Sequence, residues 1–289
     1  MKDASKLGIT AVVLLLGAGV AWAGSQGTAT VGDLPVFALI VAIAFLIQIV
    51  VFVPSFLRQT EHFYDLTGSL TYILMTVLAV TLARPLDTRS ALLAGLVMVW
   101  AGRLGTFLFR RVRRSGKDNR FDELKPSFVR FLNVWIIQGL WIALTAGAAW
   151  AAITSAERAP IDTLTVVGII VWALGFGIEV IADLQKSRFR AVPENKGRFI
   201  HTGLWSWSRH PNYFGEITLW LGVALIALPA LSGWQLVTLI SPVFVFLLIT
   251  RVSGVPLLEK HADETWGGQA DYEAYKARTS VLVPLPPKK

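Results

Sequence analysis

Apolar residues in this chain come in long runs, not in alternation. Eight stretches of bilayer-spanning length stand between short polar segments: Leu7–Ala23, Leu34–Phe56, Thr67–Ala83, Ala91–Phe109, Phe128–Ala152, Thr163–Ala182, Tyr213–Leu231 and Trp234–Thr250. A helix needs about 20 apolar residues to cross the hydrocarbon core, within a range of roughly 17–25. No period-2 pattern runs through these stretches and most lack a polar face. The pattern predicts an all-α, polytopic transmembrane helix bundle of seven or eight spans. The count depends on the first stretch. Lys2 and Lys6 precede it, and it closes on Ala21-Trp22-Ala23, which has the small-x-small look of a signal-peptidase site. Further spans follow and offer it packing partners, so it reads as an uncleaved first span.

Composition agrees. Of the 289 residues 54% are hydrophobic and 16% charged, against about 25% charged in a soluble globular chain. There is no cysteine, which excludes a disulfide framework and thiolate chemistry. The net charge of +8 acquires meaning from its distribution and is not a nucleic-acid signal. With the N-terminus inside, 23 of the 27 Lys and Arg fall on the inner side; Arg84, Arg89 and Arg158 fall outside, and Arg103 lies within a span. The positive-inside rule therefore places both termini in the cytoplasm, together with the segments Arg110–Pro126 and Gln185–Ser208. Neither an internal repeat nor a linker divides the chain. It reads as one membrane domain, 1–289, with N-terminal spans (1–60), a catalytic bundle (61–251) and a cytoplasmic tail (252–289) that completes the site.

Three clusters carry candidate chemistry. At the end of the sixth span, Glu179, Asp183, Lys186 and Arg190 share one helical face at 100° per residue. Lys186 and Arg190 suit a snorkelling helix end, but Glu179 sits among apolar neighbours, where an ionisable group suggests a site. The second cluster is Arg209-His210-Pro211-Asn212-Tyr213-Phe214-Gly215-Glu216. Pro211 suits a first helical turn, whose free N–H groups suit an anion. Arg209 and His210 at that end repel the helix dipole unless an anion compensates, and Glu216 lies one turn deeper. The third element is Arg103, two turns inside the fourth span, followed by an Arg-rich run to Arg120. Arg103 needs an internal partner, with Gln138 and Asp65 as polar candidates. In the tail, Tyr272 and Tyr275 share a helix face, suited either to cover an adenine or to sit in the membrane interface. Four scattered His without Cys argue against a metal site. Dinucleotide-binding glycine, P-loop and HExxH signatures are absent.

The Arg209-to-Glu216 motif, the upstream Glu179/Asp183 helix and the Tyr272-x-x-Tyr275…Pro284 tail resemble the steroid 5-alpha reductase C-terminal-domain superfamily, in particular its bacterial branch. The Arg103…Arg120-Phe121 segment and Gln138 are similar too, so the resemblance covers roughly residues 60–287. It implies about seven helices in a bacterial inner membrane, with NADPH held on the cytoplasmic side. Cofactor contacts carried over are Glu179, Asp183, Arg188 or Arg190, Arg209, His210, Asn212, Tyr213, Glu216, Tyr272 and Tyr275. Hydride would pass to an activated C=C of a lipophilic substrate drawn from the bilayer lipids, near Tyr64, Asp65, Trp100 and Arg103. Two departures bear on specificity. Trp100 stands where the steroid reductases carry the Tyr that polarises the substrate ketone, and Asp65 beside Tyr64 is the best substitute for their Glu. Isoprenylcysteine carboxyl methyltransferases carry a similar Arg-His-Pro-x-Tyr-x-Gly motif, so an S-adenosylmethionine-dependent membrane methyltransferase is the alternative. A non-enzymatic lipid-binding protein is the second.

Overall fold

The computed structural model describes residues 3–115 and 121–288; the side chains of residues 3–6 and 111–115 fall outside the description, as do Lys117, Asp118 and Arg120 of the Arg-rich run. The helices are α1 (Asp3–Gly24), α2 (Val36–Leu57), α3 (Tyr64–Leu82), α4 (Thr88–Ser115), α5 (Phe128–Thr154), α6 (Thr163–Ala191), α7 (Pro211–Ala227), α8 (Ser241–Leu247), α9 (Gly254–Trp266) and α10 (Ala270–Arg278). A two-residue hairpin, Thr30–Val31 with Leu34–Pro35, is the one sheet among the described residues. Eight segments among the described residues are long and apolar enough to cross a membrane. The fold is an all-α polytopic bundle.

The chain divides into two compact units. The first comprises residues 1–165 and 224–241. At its centre is α5, with 83% of its most apolar 18-residue stretch buried; a helix that is apolar all round belongs in an interior. Its Ala-rich half, Ala146 to Ala152, lets neighbouring backbones approach closely. The first helix packs on it, with Thr10 Oγ1 donating to Asn133 Oδ1 at 2.5 Å. Two arginines bind helix ends inside this unit. The Arg89 guanidinium, 2% exposed, donates to the carbonyls of Ile226 and Pro160, both at 2.5 Å. Arg158 donates to Ala83 O at 2.9 Å and Ile153 O at 3.3 Å. Except at Pro160, which lies in the loop before α6, these cations meet the unpaired carbonyls and negative dipole ends of finished helices.

The second unit comprises residues 166–223 and 242–289. Its framework is α6 against α7, joined through glycines. A Cβ on Gly215 would stand 2.6 Å from both Glu179 N and Gly175 O, and one on Gly222 would stand 2.6 Å from Trp172 N. Only hydrogen fits at these crossings, so the backbones touch.

Two expectations are corrected. The segment from Gln185 is not loop from its start: α6 continues nine residues past Ala182 to Ala191. Lys186, Arg188 and Arg190 are good helix formers, and the helix extends beyond the apolar stretch as a polar rod. The final span is not one α-helix either. It runs as a 3-10 helix (Gly233–Ile240), then α8, then a π-turn (Leu248–Val252) before α9. Ser253 closes the π-turn, its N–H and Oγ both donating to Leu248 O.

Candidate functional site

The second unit holds a cleft built by four pieces of chain. The first is the polar end of α6. The second is the segment from Arg198 through a short 3-10 turn, Gly203–Ser206. The third and fourth are α9 and α10. Local chemistry fixes each piece. Gly203 adopts φ +62°, and a Cβ there would clash with the Gln185 side chain at 2.6 Å. Gln185 Oε1 accepts from Leu204 N at 2.9 Å, and Trp205 Nε1 donates to Ala182 O at 3.0 Å. These bonds seat the turn on α6. Tyr275 Oη donates to Trp205 O at 2.7 Å and ties α10 to the turn. Trp266 Nε1 donates to Gly197 O at 2.6 Å and closes the far edge.

The cleft has an aromatic wall. Phe199 stacks on Tyr275 with ring centroids 5.3 Å apart, and meets Tyr272 edge-on at 5.3 Å and Trp266 at 5.9 Å. Tyr272 and Tyr275 are 3% and 5% exposed, and burial pushes both phenols well above their ordinary range. They stay neutral, with Tyr272 Oη bonded to Asp263 at 2.8 Å. Lys186, Arg190, Arg198 and Arg209 also line it. Lys186 Nζ lies 4.6 Å over the Trp205 ring.

Glu259 is the one carboxylate among the residues lining the cleft. Its Oε2 accepts from Arg209 Nη2 at 2.8 Å and its Oε1 lies 2.7 Å from His210 Nε2. Arg209 is held further by Nη1 to Lys276 O at 3.2 Å and by its own N–H to Ser280 O at 2.9 Å. Burial depresses the His210 pKa, and the opposing pull of Glu259 does not offset it. The ring is therefore neutral, with Nε2–H facing Glu259 and Nδ1 left as a bare acceptor. His210 Nδ1 and Arg209 Nε are both buried without a partner among the described residues. The chain's own Glu259 thus supplies part of the anion that the Arg209-His210 pair demanded at the start of α7. With Glu259 committed, the remaining cations give the cleft a positive balance.

Six of the sequence candidates lie in this unit's cleft or its walls: Arg190, Arg209, His210, Tyr272, Tyr275 and, by its helix face, Lys186. Arg188 is exposed and off the cleft, so Arg190 is the lining basic residue of that pair. Glu179 and Asp183, 3% and 6% exposed, continue the same face of α6 deeper than Lys186. Glu216 follows Gly215, whose backbone touches Glu179, and the Tyr213 ring stacks on His210 at 5.7 Å. Asn212 is in the first turn of α7. None of these five lines the cleft itself. Sequence reasoning left out Glu259, Arg198, Phe199, Trp205 and Trp266. The unbalanced Arg209-His210 pair was the available signal for Glu259.

Tyr64, Asp65, Trp100 and Arg103 belong to the first unit. Tyr64 Oη donates to Val134 O at 3.2 Å, and Gln138 Nε2 donates to Tyr64 O at 3.2 Å. Asp65 stands in the first turn of α3, where an acid is favoured. Trp100 packs edge-on against Tyr72 at 5.1 Å, and the Arg103 guanidinium lies 5.4 Å from the Phe107 ring centre. No group of three or more metal-ligating side chains occurs among the described residues.

The enclosed part of the cleft measures about 120 Å³, below the roughly 300–1,000 Å³ of a pocket that swallows a whole ligand. It suits one end of a long ligand: a flat ring against the aromatic wall, with anionic groups toward the cations.

Comparison with known proteins adds the lineage. The family described as "Protein of unknown function (DUF1295)" matches residues 51–279. The chain is similar to an uncharacterized protein of Schizosaccharomyces pombe, 25% identical over 203 residues that cover 60% of this chain and 59% of the relative. It thus spans about three fifths of the length of that curated relative. No solved structure matches it.

Proposed function

The chain belongs to the DUF1295 family, and on that premise we propose that it is a membrane-embedded, NADPH-dependent reductase of an activated C=C bond in a lipophilic substrate, steroid-like or isoprenoid. The observation that carries this reading is the cleft's combination of a neutral aromatic wall with Lys186, Arg190, Arg198 and Arg209, opposed by the single, already paired carboxylate of Glu259. NADPH carries several phosphate charges and an adenine. S-adenosylmethionine carries an adenine but a net positive charge, which such a cleft repels. Charge therefore favours the dinucleotide over the methyl donor.

In this reading Tyr272, Tyr275 and Phe199 cover the adenine, and the cations hold the phosphates in bidentate or point contacts. Arg209 Nε and His210 Nδ1 take polar groups that now lack a counterpart. When bound, the dinucleotide supplies a hydride to the electron-poor carbon of the substrate. The excess of Lys and Arg in the segment between α6 and α7 supports a cytoplasmic position for the cleft. The test is mass spectrometry of small molecules released from protein purified in mild detergent. NADP(H) in the released pool supports the reading, and S-adenosylmethionine in its place overturns it.

A further inference from the structure

The C-terminal segment after α10 is clamped alongside the residues that lead into α7. Arg209 N donates to Ser280 O at 2.9 Å and Leu285 N donates to Trp207 O at 3.1 Å. Ser208 Oγ donates to Leu282 O at 2.7 Å. The clamped segment bends through residues 281–283, where Ser280 Oγ donates to Val283 O, and then runs on irregularly. On it Val281, Val283 and Leu285 are 41%, 48% and 53% exposed, and Trp207, whose carbonyl accepts from Leu285 N and Ser280 Oγ, is 46% exposed. Four exposed apolar side chains held close together by backbone bonds form a patch of the kind that marks an interaction site.

We propose that this strap, Trp207 with Val281, Val283 and Leu285, lies in the headgroup layer of an anionic leaflet and anchors the wall of the cleft to the membrane surface. The occupant follows from position and charge. Trp207 precedes Pro211, where the membrane-crossing α7 begins, by four residues, a reach of at most about 14 Å of extended chain. Tryptophan favours the interface. Lys288 N donates to Arg278 O at 3.0 Å, which brings two basic residues together at the end of the strap, and basic clusters suit anionic headgroups. Arg209, bonded to Ser280, lies both on the strap and in the cleft. The anchor thereby fixes a cleft residue relative to the lipid surface. This inference does not rest on the identity of the cleft's ligand.

The absence of cysteine makes the test clean. Val283→Cys in the full chain, labelled with an environment-sensitive fluorophore, is reconstituted in vesicles of phosphatidylcholine and phosphatidylglycerol. Glu273→Cys, at an exposed position of α10, gives the water reference. The strap label should emit to the blue of the reference and be quenched by lipids brominated near the headgroup. Leu285→Cys should behave the same way and guards against a local disturbance at residue 283. Emission identical to the reference would overturn the proposal. So would blue-shifted emission that brominated lipid does not quench, because a protein surface would then cover the strap.

Discussion

Glu259 Oε1 and His210 Nε2 lie 2.7 Å apart, joining α9 to the residue that opens α7. The contact is half a bridge, for the other oxygen of Glu259 holds Arg209. One carboxylate therefore sets the positions of two residues that each keep one buried side-chain nitrogen, Arg209 Nε and His210 Nδ1, without a partner among the described residues.

Glu259→Gln should separate positioning from simple charge. If Glu259 were only an unhelpful negative charge in a cleft for anions, its neutralisation would tighten NADPH binding. If it positions Arg209 and His210, the variant should melt lower and bind NADPH about tenfold more weakly, equivalent to about 1.4 kcal/mol. Melting curves and NADPH titration on the same detergent-purified sample read both.

His210 makes the second unit sensitive to acid. Its folded pKa is depressed below the ordinary 6.5 by burial, so below that pH the unfolded chain binds a proton that the folded chain does not. Stability is complete above the unfolded value and is lost as pH falls toward the folded one. Melting temperatures measured between about pH 8 and about pH 5 should show this decline, and His210→Asn should flatten it. Equal slopes in the two proteins would mean that other groups dominate.

Tyr275 has two separable parts. Tyr275→Phe keeps the ring on Phe199 and removes the hydroxyl bond to Trp205 O, at a cost of about 0.5–1.5 kcal/mol of stability, with NADPH affinity nearly unchanged. Tyr275→Ala removes the ring as well. Loss of a stacking partner is worth roughly 1–3 kcal/mol per base, so affinity should fall at least fivefold or so. Parallel titrations distinguish the two.

The crossing of α6 and α7 is tested by a matched pair of glycines. Gly215→Ala would drive a methyl group to 2.6 Å from Glu179 N and Gly175 O, backbone atoms that cannot turn aside. Overpacking of this kind costs about 1–3 kcal/mol. Gly177→Ala meets nothing within 4 Å and should be neutral or stabilising by roughly 0.5–1 kcal/mol, as in any helix interior. Thermal unfolding of both variants should move in opposite directions or at least differ by several degrees.

The spans were legible because lipid imposes a length on each apolar run and forbids unpaired backbone. Their ends were less so. Polar residues from Asp183 onward look like a loop when hydropathy is the guide, yet α6 continues through them to Ala191. The 3-10 and π-turns flanking α8 leave no mark in an apolar sequence, because they arise from packing. In the cleft, Arg209, His210, Tyr272 and Tyr275 stood out by local pattern. Glu259 lies 49 residues from His210 in a helix rich in ordinary surface charges, and Phe199 has no periodic partner. Such contacts are set by tertiary folding alone.

On the proposed function, the basic, aromatic cleft of the second unit takes a phosphate-bearing dinucleotide. Calorimetric titration of the full-length protein in mild detergent with NADPH, and separately with S-adenosylmethionine, tests it most directly, at low and high salt and with Arg209→Ala alongside. NADPH should bind, high salt and Arg209→Ala should each weaken it, and S-adenosylmethionine should not bind. Binding of S-adenosylmethionine with no response to NADPH would contradict the proposed function.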